Sequence, residues 1–560
     1  MNVKTVRMLA KEALLQQLLA DGLTEIFGNP GSTESGLMDA IGRCKGINYV
    51  LGLQEASVMA MADGWARVKR KPAVVQLHSA VGLGNAMGVL YEAHRSHTPM
   101  LVLAGETYLD LQAFDGFLGG DLCEIANPLT KWSTRITHGS QLLRTLRRAI
   151  KVAATEPQGP VFLALPMEVL DTEIEAEVVP SNFLPVIGSC SDSDAEAIAH
   201  HLATAKWPMI LIGDGVAAAE AQAELRKLAD LLACPTWGVE FNDLSASFTD
   251  PMFLGVLSHS FGDANQKIVR EADAILALGT PLFPELFPSR SAYFAPGCAL
   301  MQIDLNPWEL AKNFPATVVA QASIKTSLTK VIAEVKKLAK TNDIEKRREK
   351  VKMRKLEARK QQQARFDAIP DLPDAMAPGT MMRTLAEELP GYCLVYDESI
   401  TSTPPLQHYL QPSVPGSYIL SRGGCIGVGW PGAVGASFAE PKRQIIAVSA
   451  DGSAIFALQC LWTAVRYRRN IIFIVCNNQA YRILKINMQY YWQTIGASPG
   501  EFPFMNLNEP NICFSELAAG FGMQAITVSV PNAFRGAIRE SLANEGPSLI
   551  EVILNGALEQ

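Results

Sequence analysis

Positive charge is in short supply along this 560-residue chain: 49 Lys and Arg stand against 56 Asp and Glu, a formal net charge of −7. A general nucleic-acid binder usually shows a basic excess, so that class is set aside. The ten cysteines form no C-x-x-C pair and no regular spacing. That points to buried, reduced thiols in a reducing compartment, not to a disulfide frame. No apolar run reaches the roughly 18 residues a membrane span needs. The opening stretch MNVKTVRMLAKEALLQQLLADG interrupts its apolar positions with Lys11, Glu12 and Gln16, which is the pattern of an amphipathic helix and not of a secretory signal. No low-complexity tract or short repeat occurs, and no strand leads into G-x-G-x-x-G as a dinucleotide-binding dehydrogenase requires. A cytoplasmic protein is expected, with neither membrane nor nucleic acid as partner.

What the chain does have is a recurring unit. Short apolar runs ending in Gly, Asp or Asn appear throughout: PMLVLAGE, GPVFLALP, PMILIGDG, DAILALGTP, QIIAVSADG, IIFIVCNN, PSLIEVIL. They are rich in Val, Ile and Leu and do not alternate, so each reads as a strand buried on both faces. Helical patterns such as AQAELRKLADLLA lie between them. The expected fold is α/β, with doubly wound parallel sheets. The length implies about three domains, and two composition breaks divide them, one near Val179–Asp194 and one in the charged run from Lys336. The expected layout is an N-terminal domain over 1–180, a middle domain over 190–340, a charged helical linker over 341–369 and a C-terminal domain over 370–555. Interspersed glutamates make the charged run a solvated connector.

The stretch ADGSAIFALQCLWTAVRYRRNIIFIVCNN carries the sharpest chemical signal. It reads as strand, turn, helix and strand, with Asp451 just past the first strand and Asn478 just past the second. A parallel crossover puts both strand ends on one edge of the sheet, where open α/β sheets bind ligands. A carboxylate, an amide carbonyl and a free backbone carbonyl form a hard-oxygen set suited to Mg²⁺. The Gly452 and Ser453 amides at the helix start suit an anion. A bound diphosphate is the ligand that such a pairing fits. Each residue taken singly is an ordinary turn former; the unit as a whole is what speaks.

That unit resembles the thiamine-diphosphate (ThDP) motif of the ThDP-dependent decarboxylase and carboligase superfamily, with Ala450 where the family opens on glycine. The resemblance implies three domains, for the pyrimidine, the middle and the diphosphate. It implies Asp451, Asn478 and the Ala480 carbonyl as metal ligands, with Gly452 and Ser453 on the diphosphate and Tyr481 and Thr401 beside the cofactor. Glu55, at the start of a helical pattern in LQEASVMAMADGWAR, would be the carboxyl that polarises the aminopyrimidine. The segments FGNPGSTESG, QLHSAVGLGNAMG and DESITST are similar to the benzoylformate decarboxylase branch. By that likeness Ser32 would meet the substrate carboxylate and His78 would relay protons. Ile426 would wedge the cofactor into its bent form, with the Gly424 carbonyl against its amino group.

Two departures bear on substrate. The branch carries a second active-site histidine in its middle domain, and Leu286 stands at the corresponding position in LGTPLFPELFPSRSAYF. Ile483, Leu484 and Asn487 also replace residues that pack on a phenyl ring in that branch. The expected activity is a ThDP- and Mg²⁺-dependent decarboxylase acting on a 2-oxo acid smaller or more polar than benzoylformate. An acetolactate-synthase-like carboligase is the alternative, and a ThDP-binding subunit without catalysis a third reading. The family's sites imply a homodimer or homotetramer, with active sites at the subunit interface.

Overall fold

The structure, a computed structural model, describes residues 5–183, 188–338, 341–422 and 424–558; of the first composition break, residues 184–187 lie outside the described residues. Three six-stranded sheets organise the chain, and every pairing within them is parallel. The first runs Asn48–Leu51, Glu25–Gly28, Ala73–His78, Met100–Glu106, Pro160–Pro166, Trp132–Arg135 across the sheet. Counted along the chain within the sheet, that order is 2-1-3-4-6-5. The third sheet repeats it with Tyr418–Leu420, Leu394–Glu398, Ile445–Ala450, Ile471–Asn477, Ser548–Ile553 and Gln524–Val528. The middle sheet differs, running 3-2-1-4-5-6 from Phe253–Val256 to Val318–Gln321.

The non-alternating sequence runs explain this architecture. Every residue of Ile471–Asn477 and of Met100–Glu106 is buried, so helices must cover both faces of each sheet. Right-handed crossovers then bring all carboxyl ends of a sheet to one edge, and a crevice opens where the strand order reverses. In the first sheet the reversal lies between Glu25–Gly28 and Ala73–His78; in the third it lies between Leu394–Glu398 and Ile445–Ala450. Those two crevices are where the candidate residues collect.

The first and third domains share one apolar core, in which Trp65, Leu77 and Leu90 join Tyr396, Trp430 and Phe473. Its centre is the crossing of helix Glu55–Lys69 with helix Gly429–Ala439. Glycine permits the approach: a Cβ on Gly64 would overlap the Gly432 carbonyl, and one on Gly435 would overlap the Met61 carbonyl. Lys336 and Lys337 end the preceding helix Ile324–Leu338, and from Thr341 the charged run forms one helix, Thr341–Asp367. It is docked as well as solvated, since Val351 enters the middle-domain core and Lys355 donates to the Phe248 carbonyl at 2.7 Å.

Candidate active site

Asp451 follows the strand Ile445–Ala450 directly, and the register pairs Ala450 with Cys476. Asp451 and the Asn477–Asn478 pair therefore leave adjacent strands side by side. The Asp451 carboxylate is buried. Its Oδ1 accepts from the Gly452 N–H at 2.8 Å, while its Oδ2 is buried with no partner. Burial pushes its pKa up to about 6, against the pull of the amides of Gly452 and residues 478–480. A buried carboxylate with a bare oxygen is costly on its own and suits a cation.

The two asparagines divide their work. Asn477 is locked into the core, its side-chain N–H donating to Glu551 at 2.7 Å. Asn478 is only half-buried, with its Oδ1 accepting from the Ala480 N–H at 3.1 Å. The Tyr481 ring lies on Gly452, where a Cβ would come within 2.6 Å of it. In one respect the motif departs from expectation. The long helix after Asp451 is split into a single turn, Asp451–Ala454, a 3-10 turn, Ile455–Ala457, and a helix, Gln459–Arg466. One turn sums few peptide dipoles, so the pull on an anion rests on the turn's own amides.

Thr401 sits half-buried in the 3-10 turn Ile400–Ser402, past the end of the neighbouring strand Leu394–Glu398. Gly424 and Ile426 lie on a loop held at both ends by carboxylates. Glu92 accepts from the N–H groups of Arg422, Gly424 and Cys425 at 2.9, 3.2 and 3.1 Å. Glu398 accepts from those of Gly427, Val428 and Gly429 at 2.9, 3.3 and 2.8 Å. The segment Gly427–Gly432 spells G-x-G-x-x-G, yet the Glu398 carboxylate already fills the anion position at that helix start. Ile426 remains 37% exposed.

In the first domain, Glu55 opens helix Glu55–Lys69, capped by the Gln54 side chain. Its two oxygens accept from Asn29 at 3.1 Å and Asn85 at 3.0 Å. His78 ends the strand Ala73–His78, and its Nδ1 donates to Glu34 Oε2 at 2.9 Å. That bond leaves Nε2 as the nitrogen open to a proton. Glu34 is itself fixed by the Gly31 N–H at 2.8 Å and the Thr33 hydroxyl at 2.7 Å. A Cβ on Gly82 would meet Glu55 and the Cβ of His78 within 3.4–3.5 Å, whereas the His78 ring itself lies over Gly31. Ser32, exposed, starts the adjoining 3-10 turn Ser32–Glu34.

Leu286 belongs to the middle domain and is 63% exposed. Ile483, Leu484 and Asn487 lie on helix Arg482–Ile495, which leaves the Asn478–Tyr481 turn. No hydrogen bond or ion pair among the described residues joins the Glu55–His78 set to the Asp451–Asn478 set. Sequence reasoning missed Glu34, Asn29, Asn85, Glu92 and Glu398. Only Glu34 had a local signal, three residues after Gly31 as in a capping box; the others pair across 26 to 333 positions.

Three consecutive stretches match models described as thiamine pyrophosphate enzyme domains: N-terminal TPP binding over 8–124, central over 195–331 and C-terminal TPP binding over 401–552. The chain belongs to the thiamine pyrophosphate enzymes. Benzoylformate decarboxylase of Pseudomonas aeruginosa is 29% identical over 98% of this chain and 99% of its own. A probable acetolactate synthase large subunit of Methanocaldococcus jannaschii is 26% identical over 98% and 92%. The solved structure of a thiamine diphosphate-dependent 4-hydroxybenzoylformate decarboxylase from Rhodococcus jostii superposes with a TM-score of 0.85 at 27% identity, covering 98% of this chain and 99% of that one. This thiamine pyrophosphate enzyme is thus related along its whole length to both decarboxylases and acetolactate synthases. Among the described residues no helix is long and apolar enough to cross a membrane.

Proposed function

We propose that this thiamine pyrophosphate enzyme is an Mg²⁺-dependent decarboxylase that converts a 2-oxo acid to an aldehyde and CO₂. The observation that carries the reading is a Glu55 carboxyl held by Asn29 and Asn85 and a His78 imidazole oriented by Glu34, both at the carboxyl edge of one parallel sheet. The cofactor, when bound, supplies an electron sink for the carbanion left as CO₂ departs. Asp451, Asn478 and the Ala480 carbonyl would hold the metal, and the bare Asp451 Oδ2 fits that role. Gly452 and Ser453 would face the diphosphate, with Thr401 and Tyr481 beside it. Gly424 and Ile426, fixed by their two carboxylates, would meet the pyrimidine side. Glu55 would hydrogen-bond the pyrimidine ring, Ser32 would hold the substrate carboxylate, and His78 would move protons through Nε2. Because no hydrogen bond or ion pair among the described residues joins the two residue sets, we assign the complete site to the interface of a homodimer or homotetramer.

Leu286, Ile483 and Leu484 narrow the pocket, and Asn487 adds a group that prefers a polar partner. A 2-oxo acid smaller or more polar than benzoylformate follows. The second reading is an acetolactate-synthase-like carboligase, favoured by the apolar Leu286 where the decarboxylase branch has a histidine. A panel of 2-oxo acids incubated with protein, ThDP and Mg²⁺, with CO₂ and products read by mass, separates the two. Aldehyde release supports the decarboxylase; a coupled hydroxy-ketone or acetohydroxy acid supports the carboligase. Benzoylformate as the best substrate overturns the reading of the pocket.

A further inference from the structure

The segment around Leu286 has no histidine of its own, but the fold lays one alongside it. The Leu286 N–H donates to the His259 carbonyl at 3.0 Å, and the Phe287 N–H to the Ser260 carbonyl at 2.9 Å. The Gly262 N–H returns a bond to the Phe287 carbonyl at 2.9 Å, and Phe261 and Phe287 bridge in parallel. Both segments leave carboxyl ends of middle-sheet strands, Phe253–Val256 and Ala274–Leu278, the edge at which such sheets take ligands.

Helix Arg482–Ile495 closes the third side. The Tyr490 ring lies 4.7 Å from Phe261 and 5.1 Å from Phe287, and its hydroxyl donates to Asp263 at 3.4 Å. Ile483, Asn487 and Tyr490 are spaced i, i+4, i+7, so they share one stripe of that helix. The stripe that docks on the His259–Leu286 segments is therefore the one bearing Ile483 and Asn487. Asn487 Oδ1 is buried without a partner.

The His259 imidazole has the character of a working group. Its surface is exposed, yet enough protein surrounds it that burial alone lowers its pKa. Among the described residues no hydrogen bond, ion pair or ring contact engages the ring. By contrast His78 is bonded to Glu34, His138 to Thr137, and His408 to Gln362 and Gln363. An exposed loop histidine is commonly idle. This one has no partner among the described residues, is partly desolvated, and sits on the segment next to which the Asn487-bearing helix docks through Tyr490.

We propose that His259 is the middle-domain imidazole that contacts substrate in this chain, in place of the histidine that Leu286 has displaced. The inference rests on the 2-oxo acid reading above. When R–CO–COO⁻ loses CO₂, the carbon that held it must take up one proton to give R–CHO. His259 as imidazolium delivers that proton and is reprotonated from solvent; nothing is oxidised or reduced. The unpaired Asn487 Oδ1 accepts a hydrogen bond from a hydroxyl on R, which places the substrate's tail between the two walls.

The test uses the holoprotein with ThDP and Mg²⁺, as wild type and as His259→Ala and His259→Gln. Exchange of the ThDP C2 proton and ThDP affinity by calorimetry report on the cofactor site, and both variants should match wild type. Aldehyde release from the best 2-oxo acid should fall roughly 10²-fold in both, the loss expected for a positioned proton carrier. In wild type, carbethoxylation of His259 by diethylpyrocarbonate, followed by peptide mass, should slow when methyl acetylphosphonate, which cannot lose CO₂, is present. Wild-type turnover in His259→Ala, or labelling of His259 indifferent to the phosphonate, overturns the proposal and leaves the cofactor reading standing. Absence of C2 exchange in wild type removes the reading and the proposal together.

Discussion

Asp451 has one carboxylate oxygen bonded to its own turn and the other buried and bare. Removing that carboxylate by Asp451→Ala should abolish tight ThDP binding, because a diphosphate would face too little positive charge. The apo-protein should unfold no more readily than wild type, since an unpaired buried group costs about 1–3 kcal/mol. ThDP affinity in calorimetry that is unchanged by the substitution and by EDTA would refute the metal assignment. His78 raises a different residue-level question, because Glu34 fixes which nitrogen is free. His78→Ala should cut turnover by roughly 10²–10⁴-fold. Glu34→Gln keeps the imidazole but weakens the bond that orders its tautomer, and should give a smaller loss with ThDP affinity intact. Stopped-flow CO₂ release compares the two, and equal turnover of Glu34→Gln and wild type would assign Glu34 to packing alone.

At the scale of elements, the loop carrying Gly424 and Ile426 behaves as a strap pinned by Glu92 at one end and Glu398 at the other. Glu398 is fully buried among three amides; burial pushes its pKa from 4.5 up to about 7, against the pull of those N–H groups. Because the folded chain holds that proton more tightly than the unfolded chain, folding takes up a proton between those two values. The stability this group contributes is therefore present below pH 4.5 and lost as pH rises to about 7, by up to roughly 3 kcal/mol. Glu398→Gln cannot titrate and should flatten that part of the stability curve. Urea midpoints measured from pH 4.5 to 8 for both proteins check it, and parallel curves would show that Glu398 stays ionised throughout. The helix after Asp451 teaches the same lesson about elements. Periodicity over Ala454–Arg469 reads as one helix, but close packing of Phe456 against Gly427 accompanies a break into short pieces.

For the whole molecule, the question is where the proposed Glu55 and Asp451 parts of the site meet. The first and third domains share a sheet order and pack through the Gly64–Gly432 and Met61–Gly435 approaches, a contact that is already filled and cannot also enclose a cofactor. If the site forms between chains, Glu55→Gln and Asp451→Ala subunits, each inactive alone, should regain activity when mixed and reassembled. Hybrid assemblies then contain an intact pair. No recovery on mixing, or a fully active monomer in light scattering, would return the site to a single chain.

Sequence alone determined the strand-and-helix alternation, the three-sheet class, and the meeting of Asp451 with Asn478. Those features are local. Non-alternating apolar runs demand sheets buried on both faces, and the handedness of a parallel crossover brings consecutive strand ends to one edge. The likeness in FGNPGSTESG, LQEASVMAMADGWAR and QLHSA added Ser32, Glu55 and His78. Only the tertiary structure decided the wider setting: Asn29 and Asn85 on Glu55, Glu92 on the amides of Arg422, Gly424 and Cys425, His259 beside Leu286. These contacts join residues tens to hundreds of positions apart. They depend on strand order and on how domains dock, which no periodicity in the chain records.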